Sequence, residues 1–154
     1  MNDKLLLLSV QPQYADKIFD GTKIVELRRT RPRIASGELA IIYVSTPINA
    51  IVGLLEIEKI IETSPRLIWP AICRQAGISK QTFDDYYQGA NKAFALYLRH
   101  ARLLPRPIPL NYLRRLWQNF RPPQSFGYLS YQDFTSIQMA SNQLRRRELL
   151  SMMP

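Results

Sequence analysis

The segment Leu8-Ser9-Val10-Gln11-Pro12-Gln13-Tyr14-Ala15-Asp16-Lys17-Ile18-Phe19-Asp20-Gly21-Thr22-Lys23-Ile24-Val25-Glu26-Leu27-Arg28 decides the fold. Its left end continues the apolar run Leu5–Leu8, so residues 4–10 read as a buried strand. Pro12 suits the first turn of a helix, where its missing N–H costs nothing. Tyr14 with Ile18, and Ala15 with Phe19, recur four apart, the spacing of one helical face. Gly21 follows and can take the positive φ that ends a helix and reverses the chain. Residues 23–28 then read as a second strand. In a regular strand Glu26 and Arg28 share a face with Ile24. Lys23 lies opposite, and joins them only if the strand begins after it or a bulge turns it. Charges between branched neighbours are costly to bury unpaired. Glu26 and Arg28 therefore read either as an exposed surface pair, worth little, or as a pair beside a cleft.

Working outward, Pro32 closes the second strand and Gly37-Glu38 turns into a third, Leu39–Val44. Pro47 and Asn49 mark the next turn, and Ile51–Ile61 reads as a fourth strand. After Pro65, residues 66–75 and 79–88 read as short helices around Ala76-Gly77-Ile78. Phe94–Leu104 returns to a strand pattern, and Pro105, Pro107 and Pro109 read as a loop. Leu110–Phe120 is a predicted helix, 121–125 a loop, Phe126–Tyr131 a short strand and 133–150 a helix. Short strands with helices between them predict an α+β fold, a small and partly open β-barrel decorated by helices. The expected organisation is a barrel over 1–132 with a helical insert at about 66–90, then a C-terminal helical tail over 133–154. Residues 71–88 mimic a helix-turn-helix, with Ser79 as a cap. The second helix carries Asp84 and Asp85 against a single Lys80, the wrong charge for a recognition helix. The pair is read as a cover for the barrel.

Composition bounds the function. The chain has 154 residues, 46% apolar and 21% charged, which fits one soluble domain. A lone Cys73 and a lone His100 exclude an internal disulfide and His- or Cys-rich metal sites. No cofactor and no metal are expected, and no apolar run approaches the ~18 residues of a membrane span. Leu5–Leu8 is too short for a signal peptide, so a reducing cytoplasm is the expected compartment. The net charge is +9, with 15 Arg among 21 basic residues. Residues 1–65 balance at 8 basic and 8 acidic, whereas residues 86–132 hold 7 basic residues and no acid. Arg99, Arg102, Arg114, Arg115 and Arg121 in that stretch alternate with Tyr97, Tyr112, Trp117, Phe120, Phe126, Tyr128 and Tyr131. Arginines for phosphates and flat rings for bases are what a single-stranded nucleic-acid groove needs. The alternative is a solvated basic face over an aromatic core. Arg145-Arg146-Arg147 reads as solvation of a helix end near its negative dipole, with a further phosphate contact as the alternative.

The core Gly21-x-Lys23-x-x-Glu26-x-Arg28 resembles the signature of ASCH domains, a branch of the PUA-like barrels. Pro122-Pro123-Gln124-Ser125-Phe126 is similar to a loop-and-strand segment in a subset of that family. The resemblance implies a five- or six-stranded barrel with a cleft, and binding of RNA or a nucleotide. On it, Lys23, Glu26 and Arg28 line the cleft floor. Gln124 and Ser125 approach a base edge from the opposing loop. The arginine-rich 99–121 region holds the phosphates.

Members that deacylate a modified cytidine use a lysine followed three residues later by a threonine nucleophile, with a downstream acid. Here Glu26 occupies the threonine position and the acid falls near Ala76, so that chemistry is disfavoured. A ribonuclease needs a base, an acid and a cation near the phosphate. Lys23, Glu26, Tyr43 and Ser125 are the catalytic candidates. On balance the sequence reads as a binding or regulatory module for single-stranded RNA or a nucleotide. The alternative is a hydrolase using the same cleft, with a ribonuclease ahead of an amidohydrolase.

Overall fold

In the computed structural model, residues 4–154 are described. Six strands form one sheet in the order β2-β5-β4-β3-β1-β6. Strand β1 spans Lys4–Val10, β2 Val25–Arg28, β3 Glu38–Val44, β4 Ala50–Thr63, β5 Ala93–Pro109 and β6 Phe126–Ser130. Helix α1 spans Pro12–Asp20, α2 Pro65–Ile72, α3 Lys80–Tyr86, α4 Leu110–Leu116 and α5 Tyr131–Ser151. Strands β1 and β3 are parallel, and the other four pairings are antiparallel. The sheet curls without closing. A side chain spans the gap from the edge strand β2 to β1, the neighbour of the other edge strand β6: Arg28 donates from Nη2 to the carbonyl of Ser9 at 3.1 Å.

Strand β1 reads as an unbroken apolar run because both its faces are covered. Leu6 and Leu8 join Ala40, Ile42, Leu55, Ile57 and Leu96 on the concave side, closed by Ala15 and Ile18 of α1. Leu7 joins Ile41, Tyr43 and Ile51 on the other face, under Leu113 of α4 and Ile137 and Ala140 of α5. A third cluster seats Ile68, Ile72 and Phe83 of the α2–α3 insert on Val25, Leu27, Ala93 and Ala95. The insert therefore covers the outer face of β2 and β5, as its charge pattern suggested. Ser64 and Ser79 cap α2 and α3. Gly21 takes φ 88° after α1.

Helix α4 ends at Leu116, short of the expected Phe120, and a strand boundary is corrected too. Pro105, Pro107 and Pro109 lie within β5 and do not form a separate loop. Gly53 faces Leu103 and Ile51 faces Ile108, so the register slips across this stretch; Pro105 and Pro107 sit in a wide bulge, and Pro109 pairs with Ala50 at the end of the strand. Proline is tolerated there because no ladder N–H is required of it. The bulge finds its partner on α5. The Arg106 N–H donates to Ser141 Oγ at 2.9 Å, and Ser141 donates back to the Arg106 carbonyl at 2.6 Å.

Candidate nucleic-acid interface

Strand β2 begins only at Val25, so Lys23 precedes the pleat and is free to turn inward. Its backbone is pinned there. Lys23 N–H donates to Lys17, while the N–H groups of Ile24 and Val25 both donate to the carbonyl of Gln75. The side chain is 2% exposed, and its Nζ donates to the carbonyl of Ala76. The same Nζ stands 3.9 Å from Glu26 Oε2 and 5.4 Å from the centre of the Tyr14 ring. Burial pushes the Lys23 ammonium below its ordinary value, with the nearby Glu26 opposing that shift.

Glu26 is itself buried, at 8% exposure. Its Oε1 accepts a bond from Leu27 N–H at 3.2 Å, and Oε2 has no hydrogen-bond partner. Arg28 Nη2 lies 3.9 Å from Oε1, and the Arg28 Nε–H is also unpartnered. The two cations thus flank the carboxylate while each gives a hydrogen bond to a backbone carbonyl, and Arg28 also acts on the Tyr86 hydroxyl. Of the two readings of Glu26 and Arg28, the structure selects the pair beside a cleft.

That cleft has a volume of about 650 Å³, within the usual range for a small-molecule or nucleotide site. Glu26, Leu27 and Arg28 form one side, with Tyr14 of α1 and Ile78, Thr82 and Tyr86 of the insert beside them. The opposite side is Tyr43, the β3–β4 turn with Thr46 and Asn49, and the loop Pro122–Ser125. Ser9 holds that loop, since its Oγ donates to the Pro123 carbonyl at 2.5 Å and its N–H to the Ser125 carbonyl at 3.0 Å. The Tyr43 hydroxyl donates to Asn49 Oδ1 at 3.4 Å, and Thr46 Oγ1 donates to the same oxygen at 3.1 Å. Burial raises the Tyr43 phenol above its ordinary value, with Arg114 pulling the other way. Burial likewise raises Tyr86. Among the described residues no group of His, Cys, Asp and Glu could hold a metal ion.

Lys23, Glu26, Arg28, Tyr43, Gln124 and Ser125 therefore share one cleft. Arg99, Arg102, Arg114, Arg115 and Arg121 do not line it. Arg114 is near enough to act on Tyr43, and Arg121 directly precedes Pro122. Arg115 lies over the Tyr112 ring at 5.0 Å. Arg99 is spent on Glu56 at 2.6 Å, with Glu58 at 3.9 Å. The aromatics that alternate with these arginines also stay outside, with Trp117 and Phe120 packed on each other against the core. The rings that do line the cleft are Tyr14, Tyr43 and Tyr86. The sequence reading missed Tyr14, taken as helix packing, and Asn49, taken as a turn marker. The φ of 49° at Asn49 fits a turn, so its side-chain role has no separate sequence signal.

A curled sheet with a helical insert and a charged cleft at the open end defines a PUA-like architecture. The ASCH domain profile matches residues 8–103, and the chain belongs to the ASCH family. It is 32% identical over 141 residues to a protein of Zymomonas mobilis described as an ASCH domain-containing ribonuclease, covering 92% of this chain and 95% of that one. The crystal structure of ASCH from Zymomonas mobilis superposes with a TM-score of 0.83 at 32% identity, covering 88% of this chain and 94% of that chain. Structures of a tyrosine-to-phenylalanine and a serine-to-alanine variant of the Zymomonas mobilis protein match as well. The large ribosomal subunit protein uL22 of Ureaplasma parvum is 30% identical over 125 residues, which is 80% of this chain but 39% of that protein.

Proposed function

We propose that this protein binds single-stranded RNA in the cleft and cleaves it. The observation that carries the reading is the group on the cleft floor: a buried carboxylate with an unused oxygen between two cations. A phosphate site has no use for a carboxylate, which would repel it. A base edge does, because its N–H groups need an acceptor. Lys23, Glu26 and Arg28 therefore take the base, with Tyr14 and Tyr86 as flat walls. The phosphate then falls to the opposite side. There Ser125 and Gln124 donate hydrogen bonds to it. The ribose 2′-hydroxyl attacks phosphorus and gives its proton to water. The P–O5′ bond breaks, and Tyr43, kept protonated by burial, gives its proton to O5′ and regains one from solvent. Arg114, Arg115 and Arg121 continue the strand's path, and Arg102 extends it along β5, whereas Arg99 is held by Glu56 and meets no phosphate. Residues 1–132 form the RNA-handling domain in this scheme, and residues 133–154 a helix that braces it. The reducing cytoplasm is the compartment we assign. Likeness to a protein described as a ribonuclease along nearly its full length supports cleavage of RNA.

A second reading, binding without cleavage, draws on one observation. Among the described residues, no hydroxyl of the cleft is hydrogen-bonded to a carboxylate or an ammonium. The test is labelled single-stranded RNA and DNA of one sequence, followed by anisotropy and on a gel. Cleavage of RNA that falls roughly 100-fold or more in Tyr43→Phe and Ser125→Ala, with affinity held within about twofold, supports the nuclease. Tight binding with no cleavage selects the binding module, and no binding at low salt overturns both.

A further inference from the structure

We propose that Ser9 is a positioning residue for RNA cleavage, its hydroxyl fixing the loop that presents Gln124 and Ser125. This rests on the reading above, that the cleft cleaves RNA with Tyr43 and Ser125 on the phosphate side. The loop has little else to hold it. Proline carries no N–H, so Pro122 and Pro123 donate no backbone hydrogen bond. Among the described residues, Pro122–Ser125 take part in two hydrogen bonds, and Ser9 makes both. Ser9 Oγ donates to the Pro123 carbonyl at 2.5 Å, and Ser9 N–H donates to the Ser125 carbonyl at 3.0 Å. Before the loop the chain is tied at Phe120, whose N–H donates to the Trp117 carbonyl at 3.1 Å and whose carbonyl accepts from Arg114 Nε at 3.4 Å. After it, regular pairing resumes where Phe126 lies opposite Leu8.

Ser9 also stands where the other groups of the cleft meet. On β1 it is the register partner of Tyr43 on β3. Its carbonyl accepts the Arg28 Nη2 bond at 3.1 Å. One residue therefore joins the proton donor, the loop on the phosphate side and the cleft floor. Its ties are chemically unequal. The bonds through its N–H and C=O belong to the main chain and survive replacement by alanine. The bond to Pro123 belongs to the side chain alone. Removing the hydroxyl leaves Arg28 and the pairing with Tyr43 in place, and leaves the loop on a single bond at Ser125. Two anchors on alternate carbonyls fix the direction in which Gln124 and Ser125 face, and one does not. A reacting group misplaced by about 1 Å slows chemistry by roughly 100-fold. Base binding is carried by the floor and is spared. Loss of the Ser9 hydroxyl therefore falls on turnover and not on affinity.

The test follows cleavage of a labelled single-stranded RNA, over a range of RNA concentrations, by the unaltered protein, Ser9→Ala, Ser125→Ala and the double variant. Ser9→Ala should lower kcat roughly 10- to 100-fold and hold KM within about threefold. Because Ser9 acts through the loop, the same substitution should cost only about threefold or less once Ser125 is already alanine. A residue that merely holds the fold would add its loss in full to that of Ser125→Ala. If Ser9→Ala fails to fold, Ser9→Cys takes its place, since a thiol fills similar space and is a weak donor. Unchanged kcat, a loss confined to KM, or an equal loss in both backgrounds overturns the role of Ser9 and leaves the nuclease reading standing. No cleavage by the unaltered protein overturns the nuclease reading and the assignment of Ser9 with it.

Discussion

The ammonium of Lys23 stands 3.9 Å from Oε2 of Glu26, yet it gives its hydrogen bond to the carbonyl of Ala76. The carboxylate is held by charge at a distance, with Oε2 buried and without a hydrogen-bond partner. Such an arrangement costs stability, because two charged groups are desolvated without the direct bond that would offset it. It persists because three backbone carbonyls from two segments converge on it: Lys17, Gln75 and Ala76 accept bonds from Lys23–Val25.

The cost is visible as a function of pH. Burial holds Lys23 below the ordinary lysine value of 10.5, which applies to the unfolded chain. Between the folded and unfolded values the unfolded chain keeps a proton that the folded chain has released. Stability therefore rises with pH across that window, and below it the fold carries the full cost of the buried charge. Lys23→Met removes the effect. In urea melts, the unaltered protein should gain on this variant as the pH climbs through the alkaline window below the unfolded value. Parallel curves would show that Lys23 is not the group responsible.

Gly77 makes room for this lysine. At φ +64°, a Cβ there would lie 3.2 Å from Lys23 Cβ and 3.3 Å from Lys17 Cδ. Alanine pays about 1–2 kcal/mol for the left-handed backbone and also crowds the lysine. Gly89 is the control, since at φ +77° its Cβ would meet nothing within 4 Å. Both alanine variants should lose stability, but only Gly77→Ala should also weaken RNA binding. Equal binding losses would detach the turn from the cleft.

The strand–helix–strand opening was legible because proline, glycine and the four-residue spacing are local signals. The charged group on β2 was legible as a choice between two sites, since alternation places Glu26 with Arg28. Nothing local told where β2 would begin, and that boundary decides whether Lys23 joins them. The prolines of β5 misled because a proline forbids a ladder bond only where one is needed. The bulge that frees Pro105 and Pro107 depends on Ser141, which lies 35 residues further on in contact with Arg106. The basic stretch was legible as charge but not as place. Glu56, which takes Arg99 away, comes from a different strand.

Ser141 offers a direct check of that long-range dependence. It is fully buried and is the shared partner of the Arg106 N–H and carbonyl. Ser141→Ala strands both backbone groups at a cost of about 2 kcal/mol or more. The Arg106 amide should also lose its protection in hydrogen exchange, while amides of β1 and β3 fall only with global stability. Retained protection at Arg106 would mean that the bulge is held by something other than this serine.

The arginines divide into committed and available charges, and salt dependence separates them. The Glu56 carboxyl is held below its ordinary range, first by the hydrogen bond from Arg99, so Arg99 arrives already neutralised. Arg114 and Arg115 have no carboxylate partner among the described ion pairs; Arg115 lies over Tyr112, and Arg114 is exposed near Tyr43. Each single-strand phosphate contact adds roughly −0.7 to the slope of log affinity against log salt. Arg114→Ala combined with Arg115→Ala should therefore flatten the slope by roughly 1.4 if both meet phosphates. Arg99→Ala should leave the slope unchanged, because freeing Glu56 alters local charge without removing a phosphate contact. The reverse result would move the RNA path from α4 to the exposed edge of β5, and would turn Glu56 from a structural partner into a gate on that path.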